Sequence, residues 1–251
     1  MKFHRCLVAG LLLTAFVCGA PEEGQKKLLE QGRMIIYFRD TEVGYEQYSF
    51  YQDGKDHFVM ETLSEFTLPK GAGNMFFRYQ TSERMGKQYQ PIYYDENFWV
   101  NGAESYLHVK FGKDGASDNA YMGGRVLNRT AELSGPIRIL EEAVFSLYYP
   151  LVLRYDQLSG ENKQEMLVYI PKIAQELTAT IEAAGDSTVT TALGEMRLQR
   201  YFITIGAFQG VTLTTNEKKQ LIQIIIPRQE LTLSRDFAFD LKQTQPEPPT
   251  E

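Results

Sequence analysis

The amino-acid sequence predicts a mainly β fold: a large curved antiparallel sheet, or an unclosed β-barrel, with one or two short helices. Short runs of β-branched and aromatic residues alternate with polar residues along most of the chain, which is the period of a half-buried strand. Hairpin signals such as Asp53-Gly54 and Asn101-Gly102 separate several of these runs. The connections are too short for crossover helices, so neighbouring strands must be antiparallel.

The first residues have the pattern of a secretory signal peptide. Lys2 and Arg5 precede an apolar run over residues 6–17, and small residues follow it. The run has about 12 residues, whereas a helix that crosses a membrane needs about 20. We therefore predict a signal peptide over residues 1–19, no transmembrane segment in the mature chain, and a periplasmic or secreted protein.

Cys18 leaves lipidation open as the less favoured alternative. Bacterial lipoproteins have a small residue directly before the lipid-bearing cysteine, but Phe16 and Val17 precede Cys18 here. Ordinary cleavage near Gly19 fits these residues better. The other cysteine, Cys6, lies inside the signal, so the cleaved chain is expected to contain no disulfide and to depend on its core for stability.

The composition argues against some classes of partner. The chain has 26 Lys and Arg against 32 Asp and Glu, a net charge of −6, and the acidic residues are scattered. The sequence contains no concentrated basic stripe, so nucleic acid is not an expected partner. The 15 tyrosines and 15 phenylalanines suit half-exposed sheet faces, and they suit the lining of a ligand site equally well.

The N-terminal half is predicted to form a series of hairpins. Residues 20–33 are polar and are interpreted as a linker or a short helix, and a single β-rich domain is predicted over residues 34–240. A loop is predicted over residues 112–119. Strands are predicted, in chain order, over 34–38, 43–51, 57–68, 75–81, 89–100, 104–111 and 120–127.

The middle of the chain is less regular. Residues 135–156 contain apolar side chains at helical spacing, but Pro150 limits a helix there. We predict a short helix or loop that leads into residues 150–155. This segment is the best candidate for a cover over one face of the sheet.

The last third of the chain is predicted to consist of strands with short connections. Gly185-Asp186 is interpreted as a turn, and the Pro-rich tail over residues 241–251 is predicted to be disordered. Strands are predicted over 166–170, 174–183, 195–205, 210–215, 220–226 and 229–235.

The C-terminal meander carries a family resemblance. In it "LGEMRLQRYFITI" is followed by "GVTLTTNEKKQLIQIIIP" and "LTLSR", with Gly194, Glu195, Pro227 and Arg235 at the corners. This pattern resembles bacterial envelope proteins of the DUF3108 type and, in outline, the unclosed β-barrel of the lipoprotein carriers LolA and LolB. The resemblance implies a curved sheet with a hydrophobic concavity that is sometimes used for lipids. It transfers no functional residue.

The sequence contains no pattern typical of a catalytic site. The predicted mature chain has two histidines, His57 and His108, both placed in predicted strands, and no G-x-S-x-G elbow. Two separated histidines are too few for a zinc site. We therefore expect a non-enzymatic protein without a metal or cofactor.

Aromatic residues are the remaining candidates for a binding site. Trp99, Phe145, Tyr148 and Tyr149 suit the lining of an apolar cavity, although core packing explains most such clusters. The leading hypothesis is an exported bacterial envelope protein that binds a lipid or another hydrophobic molecule in a curved sheet. The alternatives are a structural or protein-interaction module of the envelope, with a protein partner, and an accessory β domain related to secreted hydrolases.

Overall fold

Over the residues that the structure describes, the alternation of apolar and polar residues produces one continuous sheet of 15 strands. The structure is a computed structural model that describes residues 26–71, 73–113, 115–157, 162–191, 194–206 and 209–243. The prediction of a mainly β fold with two short helices is confirmed. The signal peptide predicted over 1–19, the alternative at Cys18 and residues 244–251 of the predicted tail lie outside the described residues.

The first eight strands form an antiparallel meander in which each strand pairs with the next. The predicted hairpins at Asp53-Gly54 and Asn101-Gly102 are confirmed, and Gly54 and Gly102 both have positive φ. The strands are β1 Lys27–Phe38, β2 Thr41–Gln52, β3 Phe58–Lys70, β4 Gly73–Met85, β5 Pro91–Val100, β6 Ala103–Phe111, β7 Gly115–Met122 and β8 Arg125–Glu132.

Two predictions for this half are wrong. The polar stretch that was predicted as a linker or helix over 20–33 is strand from Lys27 onward, because pairing with residues 47–52 of β2 stabilises this part of β1 despite its polar residues. The strand predicted over 120–127 is two strands, β7 and β8. Gly123 and Gly124 both adopt positive φ and close a tight hairpin between them, and β7 includes part of the predicted loop over 112–119.

The second half forms another antiparallel meander, from β10 to β15. A short strand, β9, pairs with β10 in parallel, and β15 pairs with β1, which joins the two meanders. The elements are β9 Ile137–Ile139, α1 Tyr148–Gln157, β10 Lys163–Ile170, β11 Gln175–Thr191, β12 Gly194–Ile205, β13 Gln209–Asn216, β14 Leu221–Ile226, β15 Leu231–Arg235 and α2 Phe237–Gln243.

Three further predictions are corrected here. Gly185-Asp186 does not form a turn, because the register between β11 and β12 shifts at this point and Gly185 accommodates a bulge within β11. Pro150 does not end the helix: it lies in the first turn of α1, where a backbone N–H has no intrahelical partner and proline is tolerated. Residues 241–243 of the predicted disordered tail belong to α2.

A buried arginine joins the two meanders. Arg235 of β15 donates hydrogen bonds from Nη1 to Glu30 of β1 (2.7 Å) and from Nε to Asp240 of α2 (2.6 Å). It also donates to the carbonyl oxygens of Gln31 and Leu221. This one side chain therefore connects β1, β14, β15 and α2.

The sheet coils so that its two ends overlap. β9 packs across β5 instead of pairing with β8. Arg129 of β8 donates to the carbonyl oxygens of Pro171 and Lys172, just after β10. The coil gives the sheet a concave inner face and an outer face, and α1 lies inside the coil, as expected for a covering segment.

Candidate functional site

Apolar side chains from both meanders line the concave inner face. They alternate along each strand with residues of the outer face, and they form one continuous buried cluster. Its members include Met34, Ile36, Phe50, Met60, Phe66, Met85, Ile181, Ile203, Leu213, Ile224 and Leu233. The sheet therefore presents an apolar concavity.

One short stretch of chain occupies this concavity. We call residues 140–156 the inner segment; it contains a 3-10 turn over Phe145–Leu147 and most of α1. The ring of Phe145 lies 6.2 Å from that of Phe66, and the ring of Tyr149 lies 5.6 Å from that of Phe50 in an edge-on arrangement. The inner segment thus covers the apolar face with aromatic side chains.

The structure brings together three of the four aromatic residues that the sequence singled out. Phe145, Tyr148 and Tyr149 are all buried within the inner segment. Trp99 lies on the outer face of β5, where its ring packs against the guanidinium of Arg78 at 5.2 Å. Strand alternation separates Trp99 from the others, so only the three interior residues share the concavity. Their contact with a ligand stays a prediction.

Glu46 of β2 holds the start of the inner segment. This fully buried carboxylate accepts hydrogen bonds from the backbone N–H groups of Phe145 (2.9 Å) and Ser146 (2.5 Å). The Ser146 hydroxyl also lies 2.9 Å from that of Thr62 on β3. Burial raises the pKa of Glu46 to about 7, although these hydrogen bonds oppose the shift.

A partly buried lysine between two buried carboxylates forms a second anchor. Lys172 Nζ lies 2.7 Å from Glu96 of β5 and 3.6 Å from Glu141 of the inner segment. The Tyr94 hydroxyl donates to Glu96 (2.7 Å), and Glu141 accepts the backbone N–H of Lys172 (3.0 Å). Burial and the nearby Glu96 raise the pKa of Glu141 to about 8. Burial alone lowers the pKa of Lys172, but the carboxylates outweigh it and hold that pKa above its ordinary value.

A fourth buried carboxylate faces β9. Burial raises the pKa of Glu83 on β4 to about 8, and the positive charge of Arg138 opposes that shift. Arg138 donates to the carbonyl oxygens of Ile137 and Gln88, the latter in the connection between β4 and β5. The sequence analysis missed all three of these anchors: Glu46, the Glu96–Lys172–Glu141 group and Glu83. A carboxylate in a strand with alternating residues is normally assigned to the solvent-exposed face.

The two histidines do not contribute to the concavity. His57 is exposed in the connection between β2 and β3, outside the strand predicted for it, and His108 lies on the outer face of β6, hydrogen-bonded to Asp95. Among the described residues, no group of three or more His, Cys, Asp or Glu is placed to hold a metal ion. None of the helices in the described part is long and apolar enough to cross a membrane.

Comparison with solved structures agrees with this architecture. A crystal structure of a β-barrel-like protein of the DUF1849 domain of unknown function, from Brucella abortus, is similar to this chain with a TM-score of 0.59 at 7% identity. The similarity covers 82% of this chain and 94% of that one. The fold is β-barrel-like. At this identity the similarity concerns the fold alone.

Other comparisons add less. A DUF1089 family protein from Pseudomonas aeruginosa has a TM-score of 0.38 at 11% identity, over 70% of this chain and 87% of that one. No protein-family model matches the chain, and no curated protein matches it. The resemblance of the C-terminal meander to DUF3108 proteins and to LolA and LolB therefore stays a prediction.

Proposed function

We propose that this chain is an exported, non-enzymatic protein of the bacterial envelope that binds a lipid or another hydrophobic molecule on the concave face of its sheet. One observation carries the proposal. In the part of the chain that the structure describes, the apolar face built by two meanders is covered by a single short aromatic segment, not by a second sheet or a layer of helices. Apolar concave surfaces of this kind are where proteins hold small apolar ligands.

The way the inner segment is held supports its displacement by a ligand. Its polar contacts with the sheet include buried carboxylates, Glu46 on one side and the Glu96–Lys172–Glu141 group on the other. Burial of a charged group carries a desolvation penalty, and movement of the segment would let water reach these carboxylates and recover part of that penalty. An acyl chain can make the apolar contacts with the sheet that Phe145 and Tyr149 make, while the strands of the sheet stay in place.

The predicted export and the resemblance of the C-terminal meander agree with this proposal. The signal peptide predicted over residues 1–19 would direct the protein to the periplasm or the outside of the cell, where it would meet membrane lipids. The unclosed barrels of LolA and LolB, which the meander resembles in outline, use a hydrophobic concavity for lipid-bearing cargo. No catalytic group is required, because binding and release are the only steps.

Native mass spectrometry of the full chain purified from its own host tests the proposal. We expect bound mass that organic extraction removes, and saturable binding of oleic acid to the extracted protein. Absence of co-purified lipid together with no saturable binding of oleic acid would contradict the proposal.

A variant of the inner segment sharpens the test. Tyr149→Ala weakens the competitor for the concave face, so we expect it to increase the affinity for oleic acid several-fold. Phe202→Ala, which removes an exposed ring on the outer face of β12, is the matched control and should leave the affinity unchanged. Thermal unfolding of both variants shows whether the fold is retained.

A free sheet edge favours a second candidate function, the protein-interaction module. β8 pairs only with β7, and no described strand pairs with its other edge. Val126 on this strand is 60% exposed. An extended segment of a partner could add to such an edge. Photocrosslinking in cells from position 126 tests this candidate: one stoichiometric protein partner supports it, and no specific product opposes it.

A further inference from the structure

The register of β4–β8 arranges polar and aromatic side chains in rows across the outer face. Directly paired residues of neighbouring strands lie on the same face, so each row runs perpendicular to the strands. The first row is Ser82, Asp95, His108, Asn119 and Asn128. The next row on one side is Arg84, Tyr93, Lys110, Ser117 and Thr130. We call these two rows the outer strip.

A groove runs between the two rows of the outer strip. Over β5–β8 it has a volume of ≈ 480 Å³ and is lined by residues of both rows, including Tyr93, His108 and Asn128. A second groove of ≈ 570 Å³ crosses β2–β5 and includes Ser82 and Asp95. The two grooves meet at the hydrogen-bonded pair of Asp95 and His108. Each volume is within the range of small-molecule sites.

Hydrogen bonds hold the polar groups of the outer strip in position. Asp95 is hydrogen-bonded to His108, and the ring of Tyr93 on the same strand is 40% exposed. The Asn119 side-chain amide donates to the side-chain oxygen of Asn128 (2.7 Å). Each asparagine keeps further donor and acceptor capacity toward the groove.

The charges near the groove favour a neutral ligand. Asp95 is hydrogen-bonded to His108, Arg84 is paired with Asp53 at 3.3 Å, and Arg129 is paired with the buried Asp118. A polyanion binds through several uncompensated cations. In the lining described here, Lys110 is the one cation for which the structure shows no such pairing.

We propose that the outer strip binds a neutral oligosaccharide. The exposed ring of Tyr93 stacks on the apolar face of a sugar, and His108, Asn119 and Asn128 exchange hydrogen bonds with sugar hydroxyls. Neighbouring strands lie about 4.8 Å apart, and successive sugar rings of an extended glycan advance by a similar step. Each strand that the row crosses can therefore contact one sugar unit of the glycan.

Calorimetric titration of the full chain with chitohexaose, cellohexaose and maltohexaose tests this proposal. We expect saturable binding of at least one of them. Tyr93→Ala and Asn128→Ala should each weaken that binding about tenfold, and Tyr93→Phe, which keeps the ring, should lose less than Tyr93→Ala. Phe202→Ala, an exposed ring on β12 outside the strip, should leave the affinity unchanged.

Three results would overturn the proposal: no binding of any of the three oligosaccharides, binding that Tyr93→Ala and Asn128→Ala both leave intact, or binding of heparin in preference to all three. Thermal unfolding confirms that each variant is folded, and Asn119→Ala replaces any variant that is not. The outcome is independent of lipid binding, because the strip lies on the opposite face of the sheet from the inner segment.

Discussion

Strand β5 places two neighbouring carboxylates in opposite environments. Glu96 points to the concave face, is fully buried, and contacts Tyr94 and Lys172. Asp95 points outward, where its side chain is 28% exposed and hydrogen-bonded to His108. Water screens the charge of Asp95 but not that of Glu96. The inner carboxylate therefore contributes to the stability of the fold, whereas the outer carboxylate remains accessible to ligands.

The contrast extends across the sheet. On the inner face, burial raises the pKa of Glu46 to about 7 and that of Glu83 to about 8. Such groups make the interior sensitive to pH and to substitution. The outer face carries exposed pairs such as Arg84–Asp53, whose removal should matter little. The following predictions test this difference, from the largest expected effect to the smallest.

Removal of the buried arginine at the joint between the meanders should have the largest effect. Arg235→Met leaves Glu30 and Asp240 without their partner, and breaking a buried pair in this way costs about 3–5 kcal/mol. Arg84→Met on the outer face should change the free energy of unfolding by about 0–1 kcal/mol. Urea denaturation measures both, and equal effects would contradict the contrast.

Truncation of the buried ring of the inner segment comes next. Phe145→Ala opens a cavity against Phe66 and should lower the free energy of unfolding by about 3 kcal/mol. Phe202→Ala on the outer face should lower it by about 0.5 kcal/mol or less. A loss below about 1 kcal/mol for Phe145→Ala would show that the inner segment contributes little to the folded state.

The buried carboxylates should make stability fall as the pH rises. A folded-state pKa above the unfolded value means that the folded protein retains protons that the unfolded chain releases. Their stabilising effect is therefore complete below about pH 4.5 and declines up to about pH 8. For Glu46 the shift from 4.5 to about 7 corresponds to an upper value of about 3 kcal/mol.

Urea titrations between about pH 5 and about pH 9 measure this slope. Glu46→Gln should flatten it, because glutamine stays neutral throughout. Glu61→Gln, which removes an exposed outer carboxylate paired with Lys26, should leave it as in the unsubstituted protein. A slope that is unaffected by Glu46→Gln would contradict the assignment of Glu46 as a buried titrating group.

The smallest expected difference is between two polar pairs. Ser146→Ala removes the buried hydrogen bond to Thr62 and should cost about 1 kcal/mol. Asn128→Ala removes the exposed hydrogen bond from Asn119 and should cost about 0.5 kcal/mol or less. Thermal unfolding of the two variants at one pH compares them, and a larger loss for Asn128→Ala would reverse the expected order.

The sequence predicts what local chemistry determines. The turns at Asp53-Gly54 and Asn101-Gly102 follow from their glycines, and the short connections determine an antiparallel sheet. The strand identity of residues 27–33 was missed because it depends on pairing with residues 47–52 of β2, which the polar pattern of the stretch itself does not show. Pro150 was read as a helix stop because its position within the first turn is visible only once the start of α1 is known.

The candidate site was predictable only in part. Phe145, Tyr148 and Tyr149 were identified because an aromatic group in an irregular segment suggests a cover. Trp99 was grouped with them because the sequence shows that the side chains of β5 point alternately to two faces but does not show which of the two faces lies inside. The buried Glu46 was missed for the same reason, since only the register of the coiled sheet places it beneath the inner segment.

A reversible lock on the inner segment tests the central claim most directly. The hydroxyl oxygens of Thr62 and Ser146 lie 2.9 Å apart, so Thr62→Cys with Ser146→Cys places two thiols face to face. The background carries Cys6→Ser and Cys18→Ser, and each single cysteine variant is a control. Intact mass confirms the disulfide; failure to form it in ligand-free protein would contradict the placement of the segment.

Oleic acid binding is then measured on the oxidised and the reduced double variant. If the ligand takes the place of the inner segment on the concave face, oxidation should weaken binding at least about tenfold, equivalent to about 1.4 kcal/mol. Reduction should restore the affinity, and the single-cysteine controls should not respond to either treatment. Equal binding by the oxidised and reduced forms would contradict the claim that the concave face becomes a lipid site when the inner segment moves away.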